Sequence, residues 1–268
     1  MKRKISLWTD CLAGSVESAQ IEDFLKSRLG GFGFETQMRG ELFEQLSEDR
    51  RRDFALFLAS IRIKDFETPL ESPAVCPSAE SELEFSKLRS RKTDSDCVYE
   101  GFWFQRKLHS EIARLRSLDA VANLVFTGRL LCTWEQRRYH ARVVLMGADA
   151  GTAQVISSAG VVEGPSKPPD YYWAKGRLFQ QGFAQDRKNE TLAALDETFK
   201  GKFIKPSDPL MGRVVAAYGL QPLMYVIAGK RFCENPDCCL FNSHRQSEVL
   251  NAQKKGGVCP QCAVVLAP

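Results

Sequence analysis

Two short cysteine loops near the C-terminal end constrain this chain more than any other stretch. Cys233 and Cys238 are separated by four residues, Cys259 and Cys262 by two, and about twenty residues lie between the pairs. A tetrahedral zinc ion takes four thiolates at about 2.3 Å, and two tight cysteine turns can supply them with little fold around them. Pro236 and Pro260 sit inside the loops and favour such turns. The spacing therefore predicts one structural zinc held by Cys233, Cys238, Cys259 and Cys262. Four thiolates leave no open position for water, so the same pattern argues against catalysis at that ion. Buried thiols or disulfides are the competing reading, and in an intracellular chain metal is the better one. Cys239 could replace Cys238 as ligand, but it reads better as a small buried apolar residue.

The chain has 268 residues, 44% hydrophobic, with 37 basic and 33 acidic side chains and nine cysteines. That length allows one large domain or two small ones, with a substantial core. A net charge of +4 is too small to argue for nucleic acid by itself. The basic start at Lys2 to Lys4 is followed by Thr9, Asp10 and Glu17, which break the apolar stretch of a signal peptide. No long uncharged run predicts a membrane span. The expected setting is cytoplasmic.

Hydrophobic spacing predicts strands at Ile5–Trp8 and Phe32–Met38, a helix over Val16–Leu29 stopped by Gly30 and Gly31, and a helical turn at Leu42–Leu46. The apolar run Phe54–Ile63 reads as a buried strand. This β-α-β-α-β order favours a partly parallel sheet carrying helices. Glu67–Asp96, with Pro69, Pro73 and Pro77, reads as a long surface loop. Tyr99–Leu118 resumes helical spacing. Ala122–Thr127, Tyr139–Met146 and Val155–Val162 read as strands that extend the sheet, with Cys132–Arg138 an exposed connection. The proline-rich Glu163–Tyr172 leads into a helix over Trp173–Phe199 with a break near Gly182. Asp208 and Pro209 suit a helix start, and Leu210–Ala228 reads as a core helix ended by Gly229, with Pro222 a candidate kink. The expected division is a core over 1–229, with a flexible loop at 67–96, and a zinc-knuckle module over 230–268.

A core helix ending in glycine, then the two cysteine pairs, resembles the layout of archaemetzincin metallopeptidases, whose motif runs HExxHxxGxxHCx4CxMx17CxxC. Cys233, Cys238, Cys259 and Cys262 take the cysteine positions, Leu240 that of the methionine, and one residue is added in the long spacer. Asn242–Ser243 and LVFTGRLL at 124–131 are similar to family segments. RYHARVVLMG, SSAGVVEGPSKP and NSHRQSEVL also resemble an uncharacterised archaeal group described as metallopeptidases, over about the last two thirds of the chain. The resemblance implies an α+β, metzincin-like mixed twisted sheet with packed helices and a C-terminal zinc knuckle.

The same alignment removes the chemistry. Anchored on Cys233, the family's three zinc ligands fall on Pro222, Val226 and Phe232, and its catalytic glutamate on Leu223. None can bind a metal or move a proton. The degenerate motif implies a pseudoenzyme: a metal-binding scaffold with an apolar cleft that takes a peptide or protein partner by strand addition. The alternative is a hydrolase whose second metal site has moved to His140 and His244, with Glu163 or Glu248. A pairing of Cys132 with His140 lacks any local signature. A third reading is nucleic-acid binding through the knuckle. Residues 229–268 carry five basic and three acidic side chains, and Phe232 and Phe241 could stack on bases.

Overall fold

The computed structural model describes residues 3–12, 15–93, 97–115, 120–147, 152–180 and 185–267. It opens with β1 (Arg3–Asp10), α1 (Ser18–Leu29) and β2 (Phe34–Glu41). β1 and β2 pair in parallel, as a strand–helix–strand unit should. Helices α2 (Glu48–Ser60) and α3 (Ser78–Ser90) follow, then β3 (Val98–Glu100) and α4 (Gly101–Arg114). Next come β4 (Ala122–Thr127), β5 (Leu130–Glu135), β6 (Arg138–Arg142), β7 (Val144–Leu145) and β8 (Ala153–Ser157). The rest is helical: α5 (Ser158–Glu163), α6 (Pro169–Gln180), α7 (Gln185–Thr198), α8 (Met211–Tyr218), α9 (Leu220–Ala228), α10 (Gln246–Asn251) and α11 (Pro260–Leu266).

The strands form two sheets. The larger has the order β2-β1-β4-β8-β7, parallel except for the antiparallel edge strand β7; the smaller has the order β3-β5-β6. Strand β4 is buried at every position, as a central parallel strand covered on both faces must be. One face packs Ile5, Leu7 and Leu124 against α1, α8 and α9. The other packs Trp8, Val125 and Val155 against Phe54, Leu58 and Phe104 of α2 and α4. This is the mixed sheet with packed helices that the sequence implies.

Several elements differ from expectation, each for a physical reason. Phe54–Ile63 is not a strand: Phe54 to Ser60 complete α2. The Ser47 hydroxyl accepts from the Arg50 amide, Glu48 and Asp49 fill the first turn, and Phe54, Ala55, Leu58 and Ala59 form one buried face. A short apolar run cannot by itself separate helix from strand. The expected loop at 67–96 contains α3, whose Phe85 and Leu88 pack into the second core cluster with α2. Cys132–Arg138 is no plain connection. Cys132 to Glu135 lie in β5, and only Gln136 and Arg137, at φ 52° and 64°, make the hairpin turn to β6. The single strand expected at Tyr139–Met146 changes sheets at Val143, giving β6 and β7.

Val155–Val162 is β8 followed by α5, because the Ser157 hydroxyl accepts from the Gly160 amide and caps the helix. The expected core helix breaks at Gly219 rather than at Pro222. Pro222 lies in the first turn of α9, where the missing N–H costs nothing. The break expected near Gly182 and the helix end at Leu118 lie outside the described residues. Among the described residues no helix is long and apolar enough to cross a membrane.

Candidate metal centre and adjoining cleft

The cysteine loops build their site from backbone geometry. Gly229 ends α9 in the left-handed conformation, φ 65°, and turns the chain toward the first loop. The Cys233 amide donates to the Leu240 carbonyl at 2.9 Å and the Phe241 amide to the Cys238 carbonyl at 2.9 Å, closing that loop. Cys259 precedes α11, and Pro260 stands at its first position. The result brings the Sγ atoms of Cys233, Cys238, Cys259 and Cys262 within 4.8 Å of one another.

The spacing within the group fits a metal. Cys233 and Cys259 sulfurs stand 3.7 Å apart. Thiolates at about 2.3 Å from a tetrahedral ion are separated by about 3.8 Å along each tetrahedron edge. A disulfide would require about 2.05 Å. Backbone amides already face the sulfurs: Asn235 donates to Cys233 and Cys259 donates to Cys238, each at 3.4 Å. The thiol of Cys239 donates to Cys238 and, with the Cys259 and Leu240 amides, holds it down to about 4. Cys239 thus serves as a buried neighbour of a ligand, outside the four-sulfur group. Burial pushes the Cys233 thiol up, and burial with hydrogen bonding to Cys233 and Cys259 pushes Cys262 up. A bound dication would reverse that balance by stabilising all four thiolates.

Three buried glutamines fasten this centre to the core, and sequence spacing gave no sign of them. Gln221 Nε2 donates to the Phe241 carbonyl at 2.9 Å. Gln253 Nε2 donates to Cys239 and Phe241 carbonyls, while its Oε1 accepts from the Ser243 hydroxyl at 2.8 Å. Gln246 donates to the Val161 carbonyl at 2.7 Å and accepts from the Ile204 amide at 3.0 Å. Each spans different elements, so only the folded chain reveals the set.

Beside the centre lies a cleft of about 190 Å³. Val143 and Val144 line one side, and Gln221, Phe232, Ser243 and His244 line the other. On α9, Pro222 and Leu223 are buried in the core and Val226 is half-buried. Phe232 reaches the cleft wall as hydrocarbon.

The remaining candidate residues are placed as follows. His140 Nε2 lies 3.1 Å from the Glu135 carbonyl and accepts from Arg138 Nε at 3.2 Å, on β6. His244 Nε2 lies 3.2 Å from Asn242 Nδ2, and the His244 amide donates to Glu248 at 2.8 Å. Glu163 faces Lys167 at 4.0 Å. Cys132 is buried, and burial raises its thiol to about 11.

A second group of potential ligands, Asp10, Cys11 and Glu41, meets at the carboxyl ends of β1 and β2. It is closed by its own partners. Arg129, buried like Asp10, donates to both Asp10 oxygens at 2.9 and 3.3 Å, and the Thr127 hydroxyl adds a third bond at 2.8 Å. Glu41 accepts from the Thr9 hydroxyl and the Cys11 amide, each at 3.1 Å. Burial first, and then the Asp10 charge, raise Glu41 to about 7. A guanidinium already supplies the positive charge that a cation would bring, so the group reads as an internal ion-pair cluster.

Comparison with known proteins adds three findings. The family model described as "Probable metallopeptidase family (DUF6775)" matches residues 1–266. No curated protein matches the chain. Among solved structures, archaemetzincin from Methanopyrus kandleri is similar at 12% identity and a TM-score of 0.45, covering 99% of this chain and 93% of that chain.

Proposed function

This chain belongs to the probable metallopeptidase family, and we propose that it acts as a zinc-stabilised binding protein whose cleft takes a peptide segment of a partner. The observation that supports this reading is the composition of the cleft. Among its described lining residues there is one imidazole, His244, and no carboxylate. Hydrolysis at zinc takes three protein ligands, an open position and, in this motif class, a glutamate base. In the alignment that the archaemetzincin resemblance suggests, Leu223 falls at the position of that base; it is buried among apolar neighbours.

Binding suits the same features. β7 ends the larger sheet, and its residue Val144 and the preceding Val143 border the cleft. An extended segment would add backbone hydrogen bonds along this edge and seat alternate side chains against Phe232 and Gln221. The four-cysteine zinc would hold the opposite wall, residues 232–244, in place. It is structural in this reading, because four sulfur ligands leave no site for water.

The deciding experiment is metal content together with peptide turnover. One zinc per chain and no cleavage of a fluorogenic peptide mixture is the expected result. Two zincs per chain with chelator-sensitive cleavage would overturn it in favour of a relocated site drawing on His140 and His244.

A further inference from the structure

The cleft does not end at His244. Ser166 and Arg245 form a parallel bridge, with the Ser166 amide donating to His244 and the Gln246 amide donating to Ser166, both at 2.8 Å. On the far side of this seam a larger groove opens, about 640 Å³, lined by Lys167, Pro168, Tyr172, Trp173, Arg245 and Ser247. Its aromatic wall is unusually open to solvent: Trp173 is 70% exposed and Tyr172 51%. Trp, Tyr and Arg are the residue types enriched at binding hot spots, and exposed aromatic surface marks interaction sites.

We propose that this groove binds an acidic peptide segment, with a carboxylate between Lys167 and Arg245 and a neighbouring proline or aromatic ring stacked on Trp173. The inference rests on the peptide-binding reading of the cleft and extends it across the seam.

Charge and order argue for that occupant. The described groove lining carries two cations and no acid. Arg245 is exposed and has no ion pair with a described residue. Lys167 is held in place: its Nζ lies 5.1 Å from the Tyr171 and Phe203 ring centres, its side chain is 15% exposed, and its amide donates to the Tyr172 hydroxyl oxygen at 3.1 Å. A preset cation lowers the ordering cost of binding. The charge is also limited, because Glu163 stands 4.0 Å from Lys167. One to two net charges match a carboxylate. A nucleic-acid strand calls for a continuous basic track along its phosphates.

The test selects short random phage-displayed peptides on the immobilised full chain and measures the enriched peptides by fluorescence polarisation. Enrichment of Asp or Glu beside Pro, Phe, Tyr or Trp is expected. Affinity should fall roughly tenfold or more in Arg245→Glu and in Trp173→Ala, both exposed positions. Enriched peptides without acidic bias that lose binding only in Phe232→Glu would overturn the groove while keeping the cleft. Acidic peptides sensitive to Arg245→Glu but indifferent to Phe232→Glu would keep the groove and overturn the cleft reading. No enrichment would overturn both. Tight binding of labelled oligo-dT, lost in Trp173→Ala, would replace the peptide with single-stranded nucleic acid.

Discussion

At the scale of single residues, sulfur and buried charge dominate. Cys259 supplies one corner of the four-sulfur group. Cys259→Ser should lower zinc content and thermal stability together; an unchanged zinc stoichiometry in that variant would sink the four-cysteine assignment. Arg129 and Asp10 are buried to 1% and 0% exposure. Asp10→Asn would leave the buried guanidinium only the Glu84 carboxylate, 3.7 Å away, at a cost of up to about 3–5 kcal/mol, read as a lower urea midpoint at unchanged m. Glu41 acts in the opposite sense to an ordinary ion-paired carboxylate. Its carboxyl is raised from 4.5 to about 7, so the native state retains a proton that the unfolded chain releases. The proton-linked stabilisation is therefore full below about 4.5 and is lost as pH rises through about 7. Glu41→Gln should flatten that slope, and equal slopes in the two proteins would refute the assignment.

At the scale of elements, two glycines separate backbone strain from crowding. Gly229 ends α9 at φ 65°, and a Cβ there would meet nothing within 4 Å. Gly229→Ala should cost only the backbone penalty, about 1 kcal/mol. Gly160 lies in α5 at an ordinary φ, but its Cβ would stand 2.1 Å from the Arg142 carbonyl oxygen. That contact is with backbone at the crossing from β6 to β7, so Gly160→Ala must displace the edge strand. Denaturant unfolding should rank Gly160→Ala well below Gly229→Ala, and a reversed order would contradict this packing.

At the scale of the whole molecule, the C-terminal segment is part of the core. Cys233, Cys238, Leu240, Val249, Cys262 and Leu266 belong to the same apolar cluster as Ile5, Leu7 and Leu124 of the sheet. Metal held at the four sulfurs would thus contribute folding free energy to one wall of that cluster. Removal of zinc by a chelator should raise hydrogen exchange over 230–266 first, with β1 and β4 protected longest. Uniform loss of protection would mean that the centre and the sheet unfold as one unit.

The sequence by itself determined whatever depends on local spacing. Two cysteine pairs with turn prolines specify their own loops. Gly229 specifies a helix end, and the strand–helix–strand order of β1, α1 and β2 favours a partly parallel sheet. That Pro222, Leu223, Val226 and Phe232 carry no metal-binding side chain is also read directly from the sequence. Tertiary structure decided what depends on partners distant in the chain. Phe54–Ser60 is helical because its buried face meets α3 and α4, and Tyr139–Leu145 serves two sheets because the chain turns at Val143. Gln221, Gln246 and Gln253 secure the four-cysteine segment through carbonyls on other elements, and Ser166 bridges Arg245 across a seam more than seventy residues apart in sequence. Local patterns fix torsions and turns, whereas burial and hydrogen-bond satisfaction are settled only when the distant surfaces meet.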